Sequence, residues 1–344
     1  MSSAAEFEPS PSLADPQAAV SLDATLRPAS WDGYIGQEAI KNNLHILISA
    51  AKERGTPPEH ILFYGPPGLG KTTLAHLIAR ELGGQLRATS GPAIEKIGDL
   101  AALLTNLGPG DILFIDEIHR LSRSIEEVLY PAMESGILNI IIGKGPSART
   151  IDLPLPPFTL IAATTRVADL SAPLRSRFSG GTFRLEFYSQ ADIEQIVARS
   201  AKILNVDVEH GGVSEIAKRS RSTPRTANYL LKRARDLAQL KRSPLSKNIV
   251  DESLGMLEVD TLGLTALDRR LLEVLIERFN GGPAGVNALA AALAEEPTTV
   301  SEVHEPFLLQ LGLIERTQRG RVATKKAYEH LGKKAPADLN DRLL

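Results

Sequence analysis

The sequence has no cysteine among its 344 residues. That absence excludes disulfides, thiolate catalysis and zinc sites built from cysteine. The seven histidines show no spacing typical of metal ligands. No apolar run approaches the roughly 20 residues that cross a bilayer, and the N-terminus lacks the basic and then apolar pattern of a secretory signal. These absences predict a cytoplasmic protein that does not contact a membrane.

A strong net charge is also missing, because 39 Lys and Arg against 41 Asp and Glu leave −2. A protein that coats nucleic acid with its whole surface is therefore excluded, and any such contact must come from a local patch. Hydrophobic residues make up 43% and charged residues 23%, which is usual for a globular protein. The length predicts two or three domains.

The first half of the chain has the pattern of an α/β domain. Residues 1–24, rich in Ser, Ala and Pro, predict a disordered leader. From about 33 to 185, short apolar segments alternate with amphipathic ones, which predicts a mostly parallel sheet with helices on both faces. Ligands of such sheets bind at the C-terminal ends of the strands. The clearest predicted strands are 61–64, 112–115 and 159–163.

The second half is predicted to be helical. Residues 190–258 predict four helices, with breaks near Asn205, Ser222-Thr223-Pro224 and Ser243-Pro244. Helices at 266–279, 286–294 and 299–311, followed by a hairpin around Arg319-Gly320, predict a winged-helix arrangement. The predicted division of the chain is a leader (1–24), a large α/β domain (25–186), a helical lid (187–259), a winged-helix domain (260–335) and a tail (336–344).

A phosphate-binding loop is predicted at Gly65–Thr72, which fits the pattern G-x-x-x-x-G-K-[ST] between a strand and a helix. Its glycines, Gly68 and Gly70 among them, allow backbone N–H groups to surround phosphates. Lys71 is expected to reach the β- and γ-phosphates of ATP. The hydroxyl of Thr72 is expected on Mg²⁺, and Thr73 at the α-phosphate.

A second motif places two carboxylates at the end of the next strand. Asp116 is expected to hold Mg²⁺, and Glu117 to orient and deprotonate the attacking water. A Glu directly after the Asp favours hydrolysis over transfer to a bound substrate. The strand 159–163 leads into Thr164 and Thr165, either of which could bond the γ-phosphate or the water.

Two further segments supply arginines suited to phosphoryl groups. Arg175 and Arg177 lie on a short segment after the third strand, where a rigid, permanently charged fork could stabilise a transferring phosphoryl group. An arginine supplied by a neighbouring subunit would act as a finger. Arg225 follows Pro224 at a predicted helix start, where a cation opposes the helix dipole unless it reaches an anion.

A basic patch covers residues 314–334, where seven Lys or Arg outnumber two acids. Arg316, Arg319 and Arg321 flank the predicted wing turn, from which long side chains can reach DNA phosphates. The helices before the wing lack a row of side chains suited to base edges. The patch therefore predicts DNA binding that is independent of sequence.

Several longer motifs occur in an order that resembles the RuvB family of bacterial Holliday-junction branch-migration motors, within the AAA+ class. The resemblance extends from about Leu26 to Leu331. The motifs that carry it are Leu69–Ala75, Thr89–Pro92, Phe114–Leu121, Val128–Glu134, Leu185–Tyr188, Thr223–Arg225 and Arg319–Arg321. It implies an AAA+ P-loop ATPase fold with a helical lid and a winged helix, and a motor that acts in homologous recombination and DNA repair.

The resemblance also implies roles for individual residues. Leu26, Arg27 and Tyr188 would line the adenine pocket, and Glu134, Ser135 and Gly136 would contact nucleotide. Arg177 would be the finger, and Arg225 would sense nucleotide from the lid. Arg316, Arg319 and Arg321 would hold DNA.

Partners follow from the same resemblance. A hairpin over 138–153, with exposed Ile140, Ile142 and Ile151 around Gly143–Pro146, would dock on the junction-binding protein RuvA. Six subunits would form a ring on each DNA arm, and RuvC would join the resolving complex. Ser179–Thr182 looks about one residue longer than the family pattern, which leaves the finger open between Arg175 and Arg177.

Three alternatives compete with this interpretation. A clamp-loader subunit shares the fold, but those subunits typically carry Ser-Arg-Cys where this chain has Ser176-Arg177-Phe178. A protein unfoldase would carry an aromatic and glycine pore loop, which residues 85–110 lack. A nucleotide-gated DNA-binding regulator with vestigial catalysis is the third alternative, and the intact set of Lys71, Thr72, Asp116 and Glu117 speaks against it.

Overall fold

The N-terminal half folds around a five-stranded parallel sheet in a computed structural model that describes residues 22–142 and 149–336. The strands are β1 (Ile61–Tyr64), β2 (Leu86–Ser90), β3 (Ile112–Asp116), β6 (Thr159–Thr164) and β7 (Gly181–Arg184). Their order is β2-β3-β6-β1-β7. The predicted strands β1, β3 and β6 are confirmed. The edge strands β2 and β7 went unpredicted because they are only half buried and carry no continuous apolar run.

Helices cover both faces of this sheet, as predicted. They are α1 (Leu22–Thr25), α2 (Glu38–Arg54), α3 (Lys71–Leu82), α4 (Ile97–Thr105), α5 (Arg123–Ser135) and α6 (Ala172–Ser176). Helix α1 shows that the predicted leader was wrong over residues 22–24. Residues 1–21 lie outside the described part of the chain. An antiparallel hairpin of β4 (Ile137–Ile142) and β5 (Arg149–Pro154) follows α5.

Successive side chains of the central strands point to opposite faces of the sheet and pack into two separate hydrophobic cores. In β1, Ile61 and Phe63 face the core shared with α2, α3 and the lid, whereas Leu62 faces the core under α4 and α5. Ile112 and Leu113 divide in the same way in β3. Successive residues of a strand point to opposite faces, so a strand buried on both sides must be apolar throughout.

The helical lid and the winged helix follow the predicted plan. The lid consists of α7 (Gln190–Ile203), α8 (His210–Arg219), α9 (Pro224–Lys241) and α10 (Lys247–Met256). The winged helix consists of α11 (Ala266–Glu277), α12 (Val286–Leu293), α13 (Pro297–Thr299), a π-helical turn (Val300–His304), α14 (Glu305–Gln310), β8 (Ile314–Thr317), β9 (Gly320–Ala323) and α15 (Lys325–His330). The four lid helices and the wing hairpin are confirmed. The predicted helix 299–311 is interrupted by the π turn.

Polar contacts attach the winged helix to the rest of the chain. Arg221 of the lid bonds the carbonyl of Val303 at 3.1 Å and pairs with the buried Asp268 at 3.3 Å. Arg166, just beyond β6, pairs with Glu302 at 3.2 Å. The winged helix has its own core, so these polar contacts link a separately packed unit to the sheet and the lid. Over the described residues, no helix is long and apolar enough to cross a membrane.

Candidate functional site

A cavity of about 400 Å³ opens at the C-terminal ends of the strands, between the sheet and the lid. Its volume falls in the range of small-molecule sites. Most of the residues predicted to bind nucleotide line it. They are Leu26, Arg27, Gly68, Gly70, Lys71, Thr72, Thr73, Asp116, Glu117, Thr165, Tyr188 and Arg225.

The loop before α3 depends on glycine where it turns. Gly68 and Gly70 have φ of +81° and +100°, a region that other residues rarely adopt. A Cβ at Gly70 would lie 3.0 Å from the Tyr34 hydroxyl, and one at Gly68 would lie 3.1 Å from the Arg225 Cβ. The loop is therefore packed tightly against the N-terminal segment and the lid.

Lys71 is buried without a carboxylate in hydrogen-bond contact. Its ammonium donates to the carbonyls of Gly65 at 2.7 Å and Pro66 at 2.8 Å. Burial lowers the pKa of Lys71 to about 8, and the charge of Asp116 only partly opposes this effect. A buried cation held by neutral carbonyls is electrostatically suited to a polyanionic ligand such as a triphosphate.

The acidic motif ends β3 at the cavity. Glu117 has a left-handed backbone (φ 48°, ψ 44°), and its N–H donates to Asp116 Oδ1 at 2.9 Å. Such backbone conformations are costly for a non-glycine residue and occur preferentially at functional sites. Glu117 also lies 3.7 Å from Arg120 in a partly exposed ion pair. Both carboxylates thus lie at the mouth of the phosphate loop.

The two threonines after β6 are not equivalent. The Thr164 hydroxyl is buried, accepts from the Arg166 N–H at 2.9 Å and lies 2.9 Å from His119 Nδ1. Thr165, in contrast, lines the cavity. Because the Thr164 hydroxyl is already bonded, Thr165 is the threonine available to a ligand.

Tyr188 joins three parts of the chain in the wall of the cavity. Its hydroxyl donates to the Leu69 carbonyl at 3.1 Å and lies 3.2 Å from that of Tyr34. Burial raises the pKa of Tyr188 to about 12. Arg199 of α7 donates to the carbonyls of Leu26, at 2.7 Å, and Gly33. The N-terminal segment is therefore fastened to the lid.

Sequence reasoning missed several residues that line the cavity. They are Pro28, Gly33, Tyr34, Ile35, Ile196, Arg199 and Asn228. None belongs to a motif, because the N-terminal segment and the lid meet only in three dimensions. One signal was available for Asn228, since it lies three residues after Arg225 and thus on the same face of α9. Its buried Oδ1 has no partner among the described residues.

Four of the residues expected to contact nucleotide lie outside the cavity. Arg177 ends α6, and its side chain pairs with Glu134 at 3.0 Å. Ser135 and Gly136 follow Glu134 at the end of α5. None of the four lines the cavity of its own chain. Arg175, the alternative finger, is exposed.

The wing arginines differ in accessibility. Arg321 forms a two-bond pair with Glu305, at 2.9 and 2.8 Å, and its side chain is only 15% exposed. Arg316 also bonds Glu305, at 2.9 Å, but its side chain is 56% exposed. Arg319 is exposed at the turn, with no ion pair among the described residues. The wing therefore presents Arg316 and Arg319 more openly than Arg321.

The apolar side chains of the β4–β5 hairpin become more exposed with distance from its base. Leu138 at its base is fully buried, and Ile140 packs partly buried against the second core. The prediction that Ile140 is exposed was therefore wrong, because the base of the hairpin lies against α5. Ile151, opposite Ile140, is 41% exposed. The Ile142 side chain and residues 143–148 lie outside what the structure describes.

Comparison with known proteins gives concordant matches along the chain. Family models described as the Holliday junction DNA helicase RuvB P-loop domain, the RuvB AAA lid domain and the RuvB C-terminal winged helix domain match residues 26–185, 188–260 and 261–332. The Holliday junction branch migration complex subunit RuvB of Dehalococcoides mccartyi (strain CBDB1) is 58% identical over 322 residues, which is 93% of this chain and 92% of that protein.

Solved structures agree. The Thermotoga maritima RuvB Holliday junction branch migration motor has a TM-score of 0.83 at 47% identity, and the match covers 91% of this chain and 100% of that one. A point mutant of that protein has a TM-score of 0.84 at 47% identity, covering 90% of this chain and 99% of the other.

Proposed function

The chain belongs to the RuvB family, and from that premise we propose that it is an ATP-driven motor for Holliday-junction branch migration in homologous recombination and DNA repair. It is an AAA+ P-loop ATPase with a helical lid and a winged-helix domain. The observation that carries the proposal is the single cavity that gathers Lys71, Glu117, Thr165 and Arg225 from four separate segments. The domain bounds we propose are 25–186, 187–259 and 260–335.

The proposed hydrolysis uses groups that line the cavity. Lys71 holds the β- and γ-phosphates of ATP, and Thr72 and Asp116 hold Mg²⁺. Their hydroxyl and carboxylate oxygens are ligands that Mg²⁺ prefers, and the bound ion would neutralise charge on the phosphate oxygens. Glu117 takes a proton from water while the water oxygen bonds to the γ-phosphorus and ADP leaves. Thr165 orients that water.

The lid is proposed to convert nucleotide state into motion. Leu26, Arg27 and Tyr188 hold the adenine end, with Gly68, Gly70 and Thr73 around the phosphates, and Arg225 contacts phosphate from the lid. Loss of the γ-phosphate would let the lid rock against the sheet. The contacts of Arg221 and Arg166 with the winged helix support transmission of that movement toward DNA.

Assembly into a six-membered ring is part of the proposal. Arg177, Glu134, Ser135 and Gly136 would act on the nucleotide of a neighbouring subunit, with Arg177 as the finger. Their position outside the cavity of their own chain supports action between subunits.

Contacts with other molecules are proposed from the wing and the hairpin. Arg316, Arg319 and Arg321 would hold the DNA backbone without reading sequence. The β4–β5 hairpin, with Ile142 and the exposed Ile151, would dock on RuvA, and RuvC would join the same assembly on a junction. The proposed location is the cytoplasm.

The deciding experiment uses a labelled synthetic four-way junction with Mg²⁺, ATP and RuvA, scored for conversion to two-armed products. Glu117→Gln serves as the matched control. Products that require ATP and disappear with Glu117→Gln support a branch-migration motor. Hydrolysis without products would indicate that the protein acts on other DNA structures, such as those on which clamps are loaded. Absence of hydrolysis would leave a nucleotide-gated DNA-binding regulator.

A further inference from the structure

One face of α5 carries three polar residues that contact Arg177, either directly or through a neighbour on the same face. Glu126, Tyr130 and Glu134 are spaced four residues apart, which places them on one side of a helix. Tyr130 and Glu134 contact the Arg177 side chain, and Glu126 contacts Tyr130. A surface ion pair needs only one carboxylate, whereas here three residues of one helix face are arranged around a single arginine.

The Arg177 guanidinium is held from three directions. It lies 4.4 Å from the centre of the Tyr130 ring, within the range of a cation–π contact. One of its nitrogens donates to the Pro173 carbonyl at 2.6 Å, and another pairs with Glu134 at 3.0 Å. The side chain is 19% exposed. Its charged end is therefore set in a defined direction before any neighbour approaches.

A buried carboxylate fixes the ring under that guanidinium. Glu126 is 6% exposed, and its Oε2 accepts from the Tyr130 hydroxyl at 3.0 Å and the Ser171 hydroxyl at 2.6 Å. Ser171 also caps α6, accepting from the Leu174 N–H at 3.3 Å. Arg177 lies at the other end of α6. One carboxylate thus anchors both the ring beneath the arginine and the helix that carries it.

We propose that Glu126, Tyr130 and Ser171 form a bracket that positions Arg177 toward the nucleotide of a neighbouring subunit. The proposal rests on the ring and the finger of the proposed function. The three bracket residues are positioning residues, since they act through Arg177.

Glu134 has a different place in the same arrangement. Its side chain is 59% exposed, and exposed ion pairs contribute little stability. A triphosphate carries more negative charge than one carboxylate, so it can replace Glu134 as the partner of Arg177. The Tyr130 ring faces the guanidinium without competing for its outward N–H groups, so that contact persists through the exchange.

The test compares ATP turnover of full-length Tyr130→Phe, Tyr130→Leu, Glu126→Gln and Arg177→Ala in the assembled state. Tyr130→Leu removes the ring and is expected to lower kcat by on the order of tenfold to a hundredfold, as misplaced catalytic groups do. Tyr130→Phe keeps the ring and is expected to fall between Tyr130→Leu and wild type. KM for ATP should stay near the wild-type value, because the bracket lies outside the cavity.

Two readouts separate positioning from general structure. Adding Tyr130→Leu to Arg177→Ala should cause no further loss of kcat, because the bracket has no other target. Mixing Tyr130→Leu with Lys71→Ala subunits should restore part of the turnover, since the Lys71→Ala subunit offers an intact finger. Tyr229→Leu is the matched control, because Tyr229 is an exposed tyrosine on α9 outside the cavity, and its kcat should be unchanged.

The outcomes are distinguishable. If Arg177→Ala loses turnover and is rescued by mixing while all three bracket variants keep wild-type kcat, the bracket is refuted and the finger stands. If mixing does not rescue Arg177→Ala itself, the hypothesis that Arg177 acts between subunits is refuted, and the bracket proposal is refuted with it. Should Tyr130→Leu fail to fold, Tyr130→Phe and Glu126→Gln carry the same comparison.

Discussion

The nucleotide cavity and the wing are both rich in charged side chains, but they differ in whether the cations have a carboxylate partner. In the cavity, Lys71 is buried against backbone carbonyls, and the exposed Arg225 is part of the lining. In the wing, the buried Glu305 pairs with both Arg316 and Arg321. The cavity leaves its cations to be neutralised by a ligand, whereas the wing neutralises part of its own charge.

This difference shows how far a charge count can mislead. The basic patch at 314–334 was defined by counting residues along the chain, and Glu305 lies outside that segment. Folding brings its carboxylate to two of the three wing arginines. The charge available to DNA is therefore smaller than the count, and among the three wing arginines it is concentrated at Arg319 and the exposed part of Arg316.

The largest effect is expected at the cavity. Glu117→Gln keeps the size of the side chain but cannot accept a proton, so turnover should fall by about 10²–10⁴-fold while ATP binding remains. Steady-state hydrolysis and equilibrium nucleotide binding measure the two quantities. Normal turnover would remove Glu117 from the role of general base.

The next effect is expected in the wing and concerns stability. Glu305→Ala leaves the partly buried Arg321 without its carboxylate, and breaking a buried pair costs up to about 3–5 kcal/mol. Hydrogen exchange of residues 266–330 should accelerate, while that of the sheet stays unchanged. Glu315→Ala, which removes an exposed glutamate of the same hairpin, is the control. Equal protection in the two variants would contradict the assigned role of Glu305.

A smaller effect is expected on the pH dependence of stability, which burial of Lys71 in the cavity should change. The pKa of Lys71 is about 8 in the folded protein, below its ordinary value of 10.5. The cost of burying its charge is therefore fully present below pH 8 and disappears as the pH rises from 8 to 10.5. Lys71→Met should stabilise the nucleotide-free protein by up to roughly 3 kcal/mol at pH 7, and by less at pH 9.5.

Thermal unfolding of the two proteins at both pH values gives this difference. Lys202→Met, at an exposed lysine of the lid, should show no such pH dependence. A stabilisation by Lys71→Met that is the same at pH 7 and pH 9.5 would contradict the lowered pKa.

The smallest effect tests the wing itself. Each phosphate contact that is lost lowers the salt slope of DNA binding by about one. Arg319→Ala should show this loss because Arg319 is exposed. Arg321→Ala, by sequence reasoning alone, should do the same, but the pair with Glu305 predicts a smaller change of slope and a loss of stability instead. Equal slopes for the two variants would show that Arg321 leaves Glu305 when DNA binds.

Much of the architecture could be predicted from local patterns. Strands β1, β3 and β6 have continuous apolar runs because both of their faces are buried, and they lead into the motifs that line the cavity. The winged helix was predicted from helix spacing and a turn. The edge strands β2 and β7 were not predicted, since half-buried strands resemble loops in composition.

The cavity could be predicted only in part. Lys71, Thr72, Asp116 and Glu117 belong to motifs in which neighbouring residues serve one ligand, so their function is visible in the chain. Tyr34, Arg199 and Asn228 come from segments that carry no such motif. They meet the phosphate loop only after the lid has folded onto the sheet.

The sequence alone determined the phosphate loop, the acidic pair and the order of the domains, because each follows from a few adjacent residues and the periodicity of one segment. Only the tertiary structure decided which arginines are available. Glu305 pairs with Arg321, and Glu126 anchors Tyr130 beneath Arg177, through contacts between segments far apart in the chain. A charge has the same sign in any fold, but its pairing and exposure depend on neighbours that only folding supplies.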